Sequence, residues 1–123
     1  MTNSPWLGAS LLGRLEHYLD ISVVRQQAVL SNIANIDTPG YRTRDIDFDR
    51  AMRNAQGEPQ ESAFSPAMRL VRGLTERSDG NNVSLDRETL LLARTQLGFS
   101  TAIQLMRAEF KKLSVAINEG SRS

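Results

Sequence analysis

Ser31-Asn32-Ile33-Ala34-Asn35-Ile36-Asp37-Thr38-Pro39-Gly40-Tyr41 holds a helix stop, a tight turn and an aromatic anchor within eleven residues. Asn35 and Asp37 tolerate the left-handed conformation that ends helices, and their side chains cap free carbonyls. Thr38 precedes proline and is pushed out of the helical region. Pro39-Gly40 fits the centre of a type II turn, where glycine supplies the positive φ. Tyr41 then returns beside the helix just left, its ring packed and its hydroxyl in water. The next stretch, Arg42-Thr43-Arg44-Asp45-Ile46-Asp47-Phe48, alternates charge with Ile46 and Phe48 and reads as a short extended segment with one apolar side.

Upstream of this turn a helix is expected over about residues 9–36. Leu12, Leu15, Leu19, Ser22, Gln26, Val29, Ile33 and Ile36 follow the three-and-four spacing of a heptad seam. Ser22 and Gln26 interrupt it, while Val23 and Leu30 widen it. A second helix is expected over about 85–118, along Leu85, Thr89, Leu92, Gln96, Phe99, Ile103, Met106, Phe110, Leu113 and Ile117. Ser84 suits its N-cap, Asp86 and Glu88 its first turn, Lys111 and Lys112 its far end, and Gly120 its stop. At ~1.5 Å per residue the helices are roughly 40 and 50 Å long.

Between them lie Pro39, Pro59, Pro66 and four glycines amid polar runs. Residues 37–52 read as a turn plus extended segment, and 53–83 as a mobile loop or weak β structure. The fold class is therefore all-α: one domain whose two long terminal helices pair as an antiparallel coiled-coil hairpin around a flexible or weakly β middle. A two-helix hairpin buries little apolar surface by itself, so self-association or a partner is expected.

The 123 residues carry 15 basic and 14 acidic side chains, with no block of one sign. Nucleic-acid binders concentrate Lys and Arg to neutralise phosphates, and that footprint is missing. Cysteine is absent, which excludes disulfides, thiolate metal sites and a Cys nucleophile. The N-terminus lacks the basic and apolar regions of a secretory signal, and no run reaches the ~20 apolar residues of a membrane span. No catalytic constellation emerges, and neither cofactor nor metal is expected. His17 reads as a helix-surface residue. Asp45, Asp47 and Asp49 alternate like a calcium loop but lack its Gly and Glu positions, so they read as a solvated face neutralised by Arg44 and Arg50. Asn82-Val83-Ser84 matches a glycosylation sequon by chance.

The stretch Leu30 to Tyr41 resembles the N-terminal signature shared by the rod and hook proteins of the bacterial flagellum. Arg42-Thr43-Arg44-Asp45-Ile46-Asp47-Phe48 is similar to the proximal rod subunits, of the B type rather than the C type. Gly80-Asn81-Asn82-Val83-Ser84-Leu85-Asp86-Arg87-Glu88 looks like that family's lead into its terminal helix. The resemblance implies a structural, non-enzymatic subunit that packs with copies of itself and other rod proteins around an axis. The rod crosses the periplasm and transmits torque from the membrane ring to the hook. It also implies export through the flagellar type III apparatus without a cleaved signal.

On this basis Asn32, Asn35, Thr38, Pro39, Gly40 and Tyr41 are the expected assembly turn. Leu12, Leu15, Leu19, Val29, Ile33, Leu92, Phe99, Ile103, Met106, Phe110, Leu113 and Ile117 are the expected packing seam. Phe48 and Met52 are the candidate motif for docking on the export gate, with Phe64 and Met68 at the same spacing as second choice. A soluble coiled-coil adaptor or export chaperone that never polymerises is the alternative. Its support is the polar seam positions Ser22, Gln26, Thr89 and Gln96, which can fix register in discrete oligomers.

Overall fold

A computed structural model describes residues 5–56 and 68–122, with side chains over 11–55 and 68–121. In chain order the elements are α1 (Pro5–Ala34), β1 (Arg44–Ile46), α2 (Phe48–Gln56), β2 (Met68–Leu70) and α3 (Leu85–Arg122). The fold is mostly helical, as expected, with two long terminal helices and a small sheet in the middle.

α1 begins earlier than the sequence suggested. Pro5 occupies its first turn, where the missing N–H costs nothing, and the helix runs through Gly8. It ends at Ala34, where the Asn35 N–H reaches both Ser31 O and Asn32 O, at 3.1 and 3.2 Å. Ile36 N then bonds Ile33 O at 3.2 Å, the tighter spacing that closes many helix ends. α3 passes the expected stop: Gly120 lies within the helix and lacks the positive φ of a cap.

α1 and α3 run antiparallel. Asn32 meets Glu88 near one end, and Gly98 faces Tyr18 further along. On α1 the packed side includes Leu15, Ser22, Val29 and Asn32, all buried. On α3 the closest line is Glu88, Thr95 and Ala102, seven residues apart. This line is rotated from the apolar stripe because Gly98 and Ala102 are small enough to let the helices approach.

The middle departs most from expectation. Residues 48–56 are helical, where an extended segment was expected to 52 and a loop or weak β structure beyond it. Asp47 Oδ1 accepts the Arg50 N–H at 3.2 Å as an N-cap, and Asp49 sits in the first turn. The spacing of Phe48, Ala51 and Met52 places all three on the side of α2 that meets Ile21, Val24 and Ile46, and this is the main apolar cluster. Ile21 and Ile46 are fully buried; a side chain of that size contributes about 1.5–3 kcal/mol on burial. β1 and β2 form an antiparallel pair, Arg44 opposite Leu70, Asp45 opposite Arg69 and Ile46 opposite Met68. Strand β2 falls within 53–83, read as a mobile loop or weak β structure. The portion of that stretch over 57–67, with Phe64, lies outside the described residues.

Candidate functional site

The assembly turn of the sequence reading is one half of a joint. The other half is the lead into α3, some forty residues downstream. The first half has type II geometry: Gly40 has φ +75° and Tyr41 N bonds Thr38 O at 3.2 Å. The second half is a five-residue hairpin. Gly80 N bonds Arg77 O at 2.9 Å, Arg77 N bonds Asn81 O at 2.8 Å, and Gly80 has φ +85°. The two turns stack: Gly40 N donates to Asp79 O at 2.8 Å, and a Cβ on Gly80 would lie 3.3 Å from the Gly40 Cα.

Asparagine amides close this joint. Asn81, fully buried, donates to Asn35 O at 2.9 Å and Thr38 O at 2.8 Å. Its oxygen accepts from the Val83 N–H and from Arg77, both under 3 Å. The Arg77 guanidinium also donates to Ile36 O and Val83 O. Asn82 accepts the Thr43 N–H at 2.6 Å, and Asn35 donates back to Ser31 O at 2.8 Å. These side chains satisfy carbonyls that the end of α1 leaves free. The segment from Arg77 to Val83 is accordingly fixed on α1, within the stretch read as a mobile loop or weak β structure.

Asn32, 1% exposed, uses its whole hydrogen-bonding capacity. It donates to Arg44 O at 2.8 Å and Glu88 Oε1 at 2.9 Å, and accepts from Tyr41 Oη at 2.9 Å and Arg44 N at 3.1 Å. The Tyr41 hydroxyl, expected in water, is engaged here and lies 3.4 Å from Ser31 Oγ.

Two carboxylates are buried, Asp45 where the sequence suggested exposure, and Glu88. Asp45 is not part of a solvated face: Arg25 grips it with two bonds of 3.2 and 3.1 Å, and Arg87 adds a third at 2.9 Å. Asp47 keeps its capping role and lies 3.8 Å from Arg69. Glu88 is 0% exposed. Its Oε1 accepts from Asn32 and Arg87, while Oε2 has no hydrogen-bond partner among the described residues. Burial pushes the Glu88 carboxyl above the ordinary carboxylate range, with the Arg87 charge and the Asn32 amide pulling the other way. Arg25 also lies over the Phe48 ring, 5.6 Å from its centroid, and Tyr18 meets that ring edge-on at 5.3 Å.

The remaining expected residues divide. Leu15 and Val29 are buried; Leu12, Leu19, Ile33, Leu92, Phe99, Ile103 and Met106 are half-buried along the α1–α3 contact. Phe110 and Ile117 are exposed at 55% and 70%, and Leu113 is exposed too, on the last turns of α3. Val23 and Leu30, read as widening the seam, point outward, whereas Ser22, read as an interruption, is buried. Phe48 and Met52 pack on the apolar cluster; Met68 is exposed on β2. Sequence reasoning missed Arg25, Asp45, Arg77, Asn81 and Glu88 as joint residues. Only the resemblances over Arg42 to Phe48 and Gly80 to Glu88 pointed near them.

Among the described residues, no cluster of His, Asp and Glu is placed to hold a metal, and no helix is long and apolar enough to cross a membrane. No model of a protein family matches the chain. Individual curated proteins do match it. The flagellar basal body rod protein FlgB of Bacillus subtilis is 26% identical over 129 residues, covering 93% of this chain and 98% of the relative. FlgB of Salmonella typhimurium is 27% identical over 123 residues, 84% of this chain and 89% of the relative. FlgB of Aeromonas hydrophila is 28% identical over 116 residues, covering 83% and 88%.

Proposed function

We propose that the chain belongs to the FlgB family of flagellar basal body rod proteins, and that it is a structural subunit of the rod, in the proximal part of the drive shaft between membrane ring and hook. The observation that carries this reading is the extent of the match: it spans nearly the whole of this chain and of relatives named as rod proteins. The fold agrees with such a role. Two long helices are locked at one end by a dense network of side-chain hydrogen bonds, and their outer faces and the α3 tip remain open to neighbours.

In this reading the partners are copies of the chain and other rod proteins, with membrane-ring and export-gate components at its base. The role is mechanical, without catalysis. The chain travels through the flagellar export apparatus unfolded, without a cleaved signal. Phe48 and Met52 serve as the docking motif at the gate. Both are partly buried against Ile21 and Ile46 in the fold, so the gate reads them before folding. The adaptor reading is not favoured. Its register-setting residues are divided, Ser22 being buried while Thr89 and Gln96 are exposed.

Deleting the gene in a motile host and restoring it tests the rod assignment. Motility is expected to be lost and recovered, with the chain found in isolated basal bodies. A motile deletion strain with complete rods removes the proposal. For the gate motif, Phe48→Ala is expected to abolish export of the chain; normal export with failed assembly removes that part alone.

A further inference from the structure

Each long helix carries a second stripe, on the face turned away from the other helix. On α1 the stripe is Glu16, Asp20, Val23, Gln27 and Leu30, spaced four-three-four-three, and all five side chains are exposed. On α3 it includes Leu90, Arg94, Leu97, Thr101, Leu105, Ala108, Lys112 and Val115, also all exposed. Leu97 is 71% exposed, the highest value among the large apolar side chains of the described residues. α3, apolar on two opposite faces, has one face too many for a two-helix unit, and the α1 stripe adds Val23 and Leu30. The two stripes are opposite in charge. The α1 stripe is acidic at its N-terminal end; the α3 stripe is basic, with Arg107 and Lys111 flanking Lys112. Glu16, Asp20, Arg107 and Lys111 have no ion-pair partner among the described residues.

We infer that the outer face of α1 in one copy docks, antiparallel, on the outer face of α3 in the next copy. The inference rests on the rod assignment and specifies its partner surface. Copies sharing one orientation bring α1 of one against α3 of its neighbour in the antiparallel sense. Charge then selects the register. Setting Leu30 opposite Leu97 brings Val23 to Leu105 and Glu16 to Lys112, with Asp20 between Arg107 and Lys111. A shift of one heptad, Leu30 opposite Leu90, keeps the apolar pairs but sets Glu16 against Leu105. Charges beside an apolar seam fix register and partner in this way. The contact is head-to-tail, the kind that builds open helical assemblies rather than closed dimers.

The absence of cysteine makes the test clean. The double variant Leu30→Cys/Leu97→Cys, expressed as the full chain in its motile host, is oxidised in isolated basal bodies. Within one copy the two positions face away from each other, so any disulfide joins copies. The expected result is a ladder of dimers and higher multiples, at least tenfold stronger than with Leu30→Cys/Leu90→Cys. Adding Glu16→Lys and Asp20→Lys weakens the ladder, and Lys111→Glu with Lys112→Glu restores it. Basal bodies that contain the chain but yield no ladder overturn the contact and leave the rod assignment standing. A ladder favouring the Leu90 pair overturns the register. Basal bodies lacking the wild-type chain overturn the rod assignment, and the contact with it.

Discussion

Asn32 Nδ2 and Glu88 Oε1 lie 2.9 Å apart across 56 residues of sequence, and this bond ties the last turn of α1 to the first turn of α3. Because Asn32 also holds both the N–H and the C=O of Arg44, one amide sets three segments at once. Asn32→Ala removes one of two donors to the buried Glu88 carboxylate and the partner of two Arg44 backbone groups. A loss of about 3 kcal/mol is expected, read from chemical denaturation of the free chain. A loss below about 1 kcal/mol contradicts the central role given to this amide.

Glu88 makes stability depend on pH. Its folded pKa is raised, so its favourable contribution is fully present below the ordinary value of 4.5 and is lost as pH rises through the folded value. Glu88→Gln keeps the acceptor for Asn32 and Arg87 and does not titrate. Wild type is therefore expected to gain stability relative to Glu88→Gln as pH falls from neutral toward 4.5. Denaturation curves of both proteins across that range check this; a parallel pair of pH profiles refutes it.

The stacked glycines make an ordered prediction. Gly40 and Gly80 share positive φ, but a Cβ at Gly40 meets nothing within 4 Å, whereas one at Gly80 meets the Gly40 backbone. Gly40→Ala should cost about 1–2 kcal/mol, the left-handed penalty alone. Gly80→Ala should cost more. Thermal midpoints of the two variants give the order directly.

Gly98 faces the Tyr18 hydroxyl so closely that an added Cβ would overlap it. In the wild-type background Gly98→Ala is expected to destabilise the α1–α3 contact, because Phe48 holds the Tyr18 ring. With Tyr18→Phe the same change should approach neutrality or stabilise, since alanine gains up to about 1 kcal/mol over glycine in a helix. Additive effects in a double-mutant cycle argue against the overlap.

Phe110 and Ile103 separate folding from assembly. Ile103 is half-buried between the helices and Phe110 is 55% exposed. Both aspartate variants are expected to block incorporation into basal bodies. Only Ile103→Asp should also lower the stability of the free chain, by about 2 kcal/mol or more. Equal losses for both place Phe110 inside the monomer's own packing.

The elements legible in advance were those whose signals are local. The long helices follow from apolar spacing without an internal proline, and the Thr38–Tyr41 turn from Pro-Gly. α2 was hidden because Ile46 and Phe48 alternate like a strand while Phe48, Ala51 and Met52 repeat like a helix, over too few residues to decide between them. The packed line of α3 was misplaced because Thr95, Gly98 and Ala102 are not recognisably core residues, although their smallness is what permits contact. The joint was the least legible feature. Asn81, Arg77, Asp45 and Glu88 each bond at least one partner about forty residues away or further. Such side-chain bonds leave no periodicity in the sequence.

The joint is fastened mainly by amides and backbone carbonyls, groups that neither titrate nor weaken greatly when salt is added. Exposed pairs such as Arg42 with Glu76 loosen as ionic strength rises; Asn35, Asn81 and Asn82 do not. The angle at which α3 leaves α1 is thus largely independent of ionic strength. What the medium can tune is adhesion along the outer stripes, where acid and base lie in the open. The elbow and the glue obey different chemistry, so changes in salt should alter how copies hold together without bending the copies themselves.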